Sequence, residues 1–372
     1  MAEDWPILMS FFPDHWEELA ATTNALKGLH KNKEAENYLR TLMLHIAGGY
    51  SLRETVARAK LSGLADLSDV AFLFRLAKAK EWLRQMCVEL FAQSGVAAAG
   101  EDVFQVRLFD ATTVKEPGPT GSHWRIHYSL RLPSLACDYF RITAAKGEGS
   151  GESFFQFAIK KGDYLIADRG YCTSAGIGHV AAKKAYVLVR VNSSTLTLLN
   201  PSGEPFSLLD QVSTLERAGR IGSWPVLSQG RDGASVAGRI CAVRKTEQAI
   251  QLAHEKLALD ARRKGKVVKP TTYEFAKYVI VFTTFPTEQF SAFAVLEWYR
   301  RRWQIELVFK RFKSIAQLGH LPKERDDSAL AWLYGKLFVA LLTERLMAYA
   351  SAISPWGYDL QKGSATERLA RV

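Results

Sequence analysis

Cysteine is scarce: four stand at Cys87, Cys137, Cys172 and Cys241, and no CxxC pair occurs. Zinc ribbons and dithiol redox motifs are therefore unsupported, and the four read as reduced thiols of a cytoplasmic protein. The start, Met-Ala-Glu-Asp, lacks the basic residues and apolar core of a signal peptide. The most apolar helix candidate, residues 329–353, contains Lys336, Glu344 and Arg345, so it reads as a buried helix rather than a membrane span. No Walker A string, internal repeat or low-complexity tract is found. A GxGxxA string at Gly176–Ala181 starts eight residues past a strand end, inside a presumed helix, which argues against a dinucleotide site. Acidic residues are also in deficit: 38 Asp and Glu face 49 Lys and Arg, for a net charge of +11. That surplus favours a polyanionic partner. With a membrane span disfavoured, nucleic acid gains.

What is present is a chain of 372 residues, 48% hydrophobic, enough for two or three packed units. Residues 1–100 show helical periodicity. Ser51-Leu-Arg-Glu54 fits a capping box, predicting a helix to about Lys60. After a break containing Gly63, a second helix is expected from Ser68, with Val70, Leu73, Phe74 and Ala77 on one face. Helix, short turn, helix fits either a DNA-reading helix-turn-helix or an ordinary helical hairpin. Residues 101–194 read as a mixed sheet with packed helices: strands at 103–109, 124–132 and 139–143, a Gly-rich turn at 146–151, a strand at 164–167, a helix to about Lys184 and a strand at 186–191. Residues 195–285 break into short β-prone runs between turn signals, with a basic helical stretch at 246–264, and read as an insertion into the sheet domain. Residues 286–353 return to amphipathic helix, and 354–372 form a poorly patterned tail.

Two aspartates follow strand candidates: Asp110 in Leu-Phe-Asp-Ala-Thr-Thr and Asp168 in Leu-Ile-Ala-Asp-Arg-Gly-Tyr. A carboxylate at a strand end can be held rigidly facing a cleft, the sort of oxygen ligand a hard divalent cation needs. Each alone equally fits a turn or cap aspartate, and Asp168 could cap the helix after it. The third element says more. Along a helix, Tyr299, Arg302, Glu306 and Lys313 project within about 60° of one another. The stretch 299–313 holds six Lys or Arg against one Glu. Such a face can hold a metal and bind phosphates beside it. His123 and His127 share a strand face as ordinary residues, and a zinc pair is not expected. Cys172 has no base partner in the pattern and is read as packing.

The Tyr-x2-Arg-x3-Glu-x6-Lys spacing of residues 299–313 resembles the signature of DDE transposases of the insertion sequence 4 family. Asp110-Ala-Thr-Thr-Val, with Glu116-Pro-Gly and Trp124-Arg-Ile-His127-Tyr after it, looks like that family's first-aspartate region, and Asp168-Arg-Gly-Tyr171 like its second. The resemblance covers about residues 40–350. It implies an RNase H-like α/β fold interrupted by a β-rich insertion, with an N-terminal helical DNA-binding region. It implies a cut-and-paste enzyme whose catalytic and metal-holding residues are Asp110, Asp168 and Glu306. Two Mg²⁺ or Mn²⁺ ions about 4 Å apart would serve in-line displacement at phosphorus. Tyr299, Arg302 and Lys313 would bind DNA. The partners implied are terminal inverted repeats, target DNA and a second copy of the chain in the DNA-bound complex, at the bacterial nucleoid. Relatives often continue past the last helix into a region that helps pairing on DNA, so the short end here puts self-association in question. A non-catalytic DNA-binding inhibitor and an RNase H-fold nuclease are the rival readings. Assay on matched terminal repeats separates the three.

Overall fold

The computed structural model describes residues 4–28, 34–93, 106–115, 122–132, 136–147, 151–192, 195–231, 233–303 and 326–353. The chain divides into two compact units, residues 1–98 with 312–372, and residues 99–311.

The first unit is helical. It begins with α1 (Asp4–Met9), α2 (Trp16–Thr22), α3 (Ala35–Ile46), α4 (Leu52–Leu61), α5 (Asp69–Lys78) and α6 (Lys80–Gln93). Ser51 caps α4 by accepting from the Glu54 amide at 3.2 Å, as the capping box predicts. The Glu54 carboxylate turns instead to Arg58, 2.9 Å away. Gly63, at φ 68°, ends the helix, and Ser68 caps α5. Val70, Leu73, Phe74 and Ala77 share a face of α5 as expected, but it is not the buried one. Phe72 and Leu76 are buried, whereas Val70 and Phe74 are 60% and 55% exposed. Two apolar stripes run along this helix at the same period, and periodicity alone does not say which one the neighbouring helices cover. Trp82 is the centre of the core, stacked on Trp16 and Tyr38 and donating its indole N–H to the Trp16 carbonyl.

The second unit is built on a nine-stranded, mostly antiparallel sheet. Its elements are β1 (Val106–Lys115), β2 (Ser122–Leu132), β3 (Ala136–Ala144), β4 (Tyr164–Ala167), α7 (Ser174–Ala182), β5 (Tyr186–Arg190), β6 (Thr197–Leu199), α8 (Leu208–Ser213), β7 (Ile221–Gln229), β8 (Ser235–Arg244), α9 (Glu247–Arg263), α10 (Pro270–Ala276), β9 (Tyr278–Thr283) and α11 (Ala292–Arg300). The strand order is β3-β2-β1-β4-β5-β9-β8-β7-β6. The first three strands form an antiparallel meander, and β1, β4 and β5 are parallel neighbours. Helix α7 supplies the crossover that a parallel pair needs. After β5 the chain runs to the far edge at β6. It then steps back strand by strand until β9 pairs with β5. All four residues of β4 are buried, as expected of a strand covered on both faces.

One polar network lies inside this sheet. Arg107 on β1 is 4% exposed. Its Nη1 lies 2.9 Å from Asp163, at the entry to β4, and its Nε lies 2.7 Å from Asp138 on β3, an ion pair without linear hydrogen-bond geometry. The same guanidinium donates to the Ala158 carbonyl and the Ser129 hydroxyl. This clamp ties β1 to its neighbours three residues before Asp110.

The chain returns to the first unit with α12 (Asp326–Ile353), which packs on α3, α5 and α6. Gly335 permits the approach to α3, because a Cβ there would strike Ile46. Lys336 is buried with its ammonium over the Trp332 ring. Among the described residues no helix is long and apolar enough to cross a membrane.

Candidate active site

The register of the parallel pair places the two aspartates. Val106 stands opposite Tyr164 and Phe109 opposite Ala167. Asp110 and Asp168 are the next residue on each chain, and Asp168 keeps extended backbone. Neighbouring strands lie about 4.8 Å apart and in-register pleats send side chains the same way, so the two carboxylates stand side by side. Asp168 does not cap α7: Thr173 does, accepting from the Gly176 amide at 3.1 Å. The Asp168 carboxylate is left to the site.

Burial pushes the Asp110 carboxyl up to about 7. The Ala111 amide and Arg302 oppose that shift, and Glu152 and Asp168 add to it. Burial would raise Asp168 as well. There, the Arg302 charge, the Arg169 amide, the Tyr299 hydroxyl and Arg190 outweigh burial and hold it below the usual carboxylate range. The pair is thus split, with one carboxylate firmly ionised and its neighbour poised near neutrality.

Tyr299 sits in the last turn of α11 and donates to Asp168 Oδ1 at 3.1 Å. Arg302 follows one turn on, with its guanidinium 5.7 Å from the Tyr299 ring centre. The expected single helix through 299–313 is not continuous at its start. The Arg301 and Arg302 amides bond Trp298 and Tyr299, three residues back, so α11 tightens and ends at Arg300. The structure therefore brings Asp110, Asp168, Tyr299 and Arg302 together. Glu306 and Lys313, and Glu116 of the first motif, lie outside the described residues.

Sequence reading missed four members of this cluster. Glu152 directly follows the Gly-rich turn, and its carboxylate occupies the place a side chain at Gly170 would take, with Cδ 2.9 Å from that position. Burial raises its carboxyl, which also senses Arg125 and Asp168. Tyr171 is 1% exposed, and its hydroxyl, within reach of the Asp110, Glu152 and Asp168 charges, has no hydrogen-bond partner among the described residues. Arg125 on β2 and Arg190 at the end of β5 supply positive charge from two sides. The sequence carried only a weak signal for Glu152, the glycine directly after Asp168-Arg169, where the missing side chain leaves room for a close approach.

Gly170→Ala tests that packing. The new Cβ displaces the Glu152 carboxylate, the flexible partner, so the fold should survive. With a like charge moved away, the acid limb of DNA nicking should shift to lower pH, as should that of Glu152→Gln. An unchanged pH profile in both variants would remove Glu152 from the cluster.

His127 is buried, bonds Thr143 at 3.0 Å, and is held neutral at pH 7 because burial lowers its pKa to about 4. All four cysteines are free and buried, Cys172 with its thiol pushed up to about 11 by burial. Gly176–Ala181 lies within α7. Among the described residues no three His, Cys, Asp or Glu side chains gather closely enough to hold a metal ion. The Asp110–Asp168 pair nevertheless suits a divalent cation. It concentrates negative charge in a buried place, and a cation would relieve the repulsion that raises Asp110.

Residues 148–342 match the family model described as Transposase DDE domain. The chain is 30% identical over 352 residues to the putative transposase InsL for insertion sequence element IS186A of Escherichia coli K12, covering 93% of this chain and 94% of that one. It is equally similar, over 353 residues, to the transposase for insertion sequence element IS421 of Escherichia coli. The transposase for IS231F of Bacillus thuringiensis is 22% identical, over 65% of this chain and 56% of its own. Among solved structures, a piggyBac transposase synaptic complex with hairpin DNA shares 10% identity over 91% of this chain and 67% of its own, with a TM-score of 0.43.

Proposed function

The chain belongs to the transposase DDE domain family, and from that premise we propose that Asp110, Asp168 and Glu306 are the carboxylates with which it cleaves and joins DNA strands. The protein is a transposase, an enzyme acting on DNA. The reading rests on one observation: Asp110 and Asp168 directly follow the last paired residues of parallel β1 and β4, in register, with Tyr299 bonded to the second and the Arg302 charge acting on both.

In this reading the two aspartates, completed by Glu306, would hold the divalent metal on which DDE transposases depend, as two Mg²⁺ or Mn²⁺ ions. The metal supplies Lewis-acid stabilisation of charge at phosphorus. The protein's part is positioning. Tyr299 fixes the Asp168 carboxylate through its hydroxyl. Arg302 stands where it can bind a phosphate of the scissile strand, and Lys313 holds the DNA backbone beyond. The antiparallel meander continued by parallel β4 and β5 supports an RNase H-like catalytic part, assigned to residues 101–194 and to the start of the 286–353 segment, whose α12 packs in the helical unit instead, with 195–285 as insertion. We assign residues 1–100 to DNA binding through α4 and α5, whose caps and tight turn fit a helix-turn-helix. Cut-and-paste transfer from terminal inverted repeats to target DNA by a homodimer completes the proposal, in the cytoplasm at the nucleoid.

Glu306→Gln tests the third carboxylate. It removes a charged ligand and keeps the basic residues. Gel-shift affinity for a terminal-repeat duplex should persist and weaken with salt, while cleavage in Mg²⁺ or Mn²⁺ falls by orders of magnitude. Lys313→Ala should weaken binding more than chemistry. Wild-type cleavage by Glu306→Gln would overturn the assignment. Cleavage without joining in the unmodified protein would make it a nuclease.

A further inference from the structure

A second basic site adjoins the aspartates. A cavity of about 400 Å³ lies within the second unit, between the β5–β9 end of the sheet and helices α8, α9 and α10. Arg169, Arg190, Lys245 and Lys256 line it against one carboxylate, Asp260. None of the four cations has an ion pair among the described residues. Lys245 is half-buried, donates to the Ala276 carbonyl at 2.7 Å and feels the Arg190 charge. Phe275 and Leu257 make the wall apolar. Like charges held together in a recess beside apolar side chains raise a positive potential there. The charge of Arg190 also reaches Asp168 and Tyr299, and Arg169 directly follows Asp168. The cavity and the aspartates therefore share one border.

We propose that this cavity binds a phosphodiester of the DNA strand running from the Asp110–Asp168 pair, held by Arg190 and Lys245 with Lys256 at the rim. The proposal rests on the strand-transfer reading for its choice of DNA. The chemistry matches at each end: a phosphate accepts from a guanidinium fork and an ammonium, and the apolar wall strengthens both interactions by keeping water out. No base-edge contact is implied, so the site should tolerate any sequence.

The test is equilibrium binding of a 5′-labelled random-sequence duplex to the full chain in EDTA, where no strand chemistry interferes. Affinity is read across a salt series for Arg190→Gln, Lys245→Gln, Lys256→Gln and Lys245→Arg. Each Gln variant should lose roughly threefold to tenfold in affinity and flatten the salt slope by about one unit, the signature of one lost phosphate contact. Lys245→Arg should keep the wild-type slope. Lys264→Gln, an exposed cation beyond the end of α9, is the control. Lys256 is exposed at the rim, so its variant decides the matter if Lys245→Gln does not fold. Wild-type affinity and slope in the folded Gln variants would overturn the proposal. A parallel titration with inorganic pyrophosphate separates the sources. Pyrophosphate binding lost in Lys245→Gln, with duplex affinity intact, would make the cavity a small-anion site and refute the DNA assignment. If Asp110→Asn still cleaves while the cavity variants lose their slope, the catalytic reading fails and the cavity stands.

Discussion

Asp110→Asn should abolish strand cleavage and at the same time make the metal-free protein more stable. The first effect follows from losing a charged oxygen ligand where negative charge must be neutralised, and should reach orders of magnitude. The second follows from linkage. The Asp110 carboxyl is raised from 3.8 to about 7 in the folded chain, first by burial. A group with a raised folded pKa contributes stability that is fully present below its unfolded pKa and is lost as pH rises through the folded value. The wild type should therefore lose stability between about pH 4 and pH 7, on the order of 2–4 kcal/mol. Asparagine has no charge to bury and should lose none of it. Thermal unfolding in EDTA should show the variant ahead at pH 8 and the gap closing toward pH 4. Added Mg²⁺ should raise the melting point of the wild type by mass action and leave the variant unmoved. Equal melting points at pH 8, or undiminished cleavage by the variant, would count against this account of Asp110.

Arg107→Met should cost about 3–5 kcal/mol, the usual penalty for stripping the partner from a buried charge. Here buried Asp163 would lose its ion partner, and buried Asp138 would keep only Arg131, 3.6 Å away. The loss should also reach the chemistry, because the clamp joins β1 to the entry of β4 and so keeps Asp110 beside Asp168. Urea unfolding measures the first effect. Arg58→Gln breaks an exposed ion pair with Glu54 and should change stability by less than about 1 kcal/mol. An Arg107→Met protein within 1 kcal/mol of wild type would show that the network is dispensable.

The parts of this molecule that local chemistry decides were legible in the sequence. Ser51 and Ser68 cap the helices they were expected to start, and β4 falls on its expected apolar run. Asp168 stands just past the end of β4, where the apolar run breaks, but β1 does not stop at Asp110 as expected: it runs on to Lys115, because residues 110–115 keep pairing with β2. What was not legible depends on partners far away in the chain. The buried stripe of α5 was decided by helices with which it shares no sequence pattern. Arg107 alternates in a strand as a solvated residue would, and only two distant carboxylates explain its burial. Glu152 looked like the tail of a flexible turn until the space above Gly170 was seen. The break after Arg300 was hidden because Tyr299 and Arg302 keep a spacing that suits a continuous helix equally well.

The strand order has a consequence for how the protein is made. Strand β9 lies in the interior of the sheet, between β5 and β8, yet among the described residues it is the last strand to leave the ribosome. Until residue 278 and its followers emerge, the nascent chain carries β5 with an unpaired edge and a β6–β8 hairpin array with nowhere to dock. Long-range strand pairing of this kind is slow and leaves sticky edges exposed meanwhile. Tyr299 and Arg302 arrive later still. A product released early by the translation machinery would hold both aspartates but neither a closed sheet nor the tyrosine that orients Asp168. The topology thus makes closure of the sheet, and with it the Tyr299–Asp168 contact, wait on near-complete synthesis.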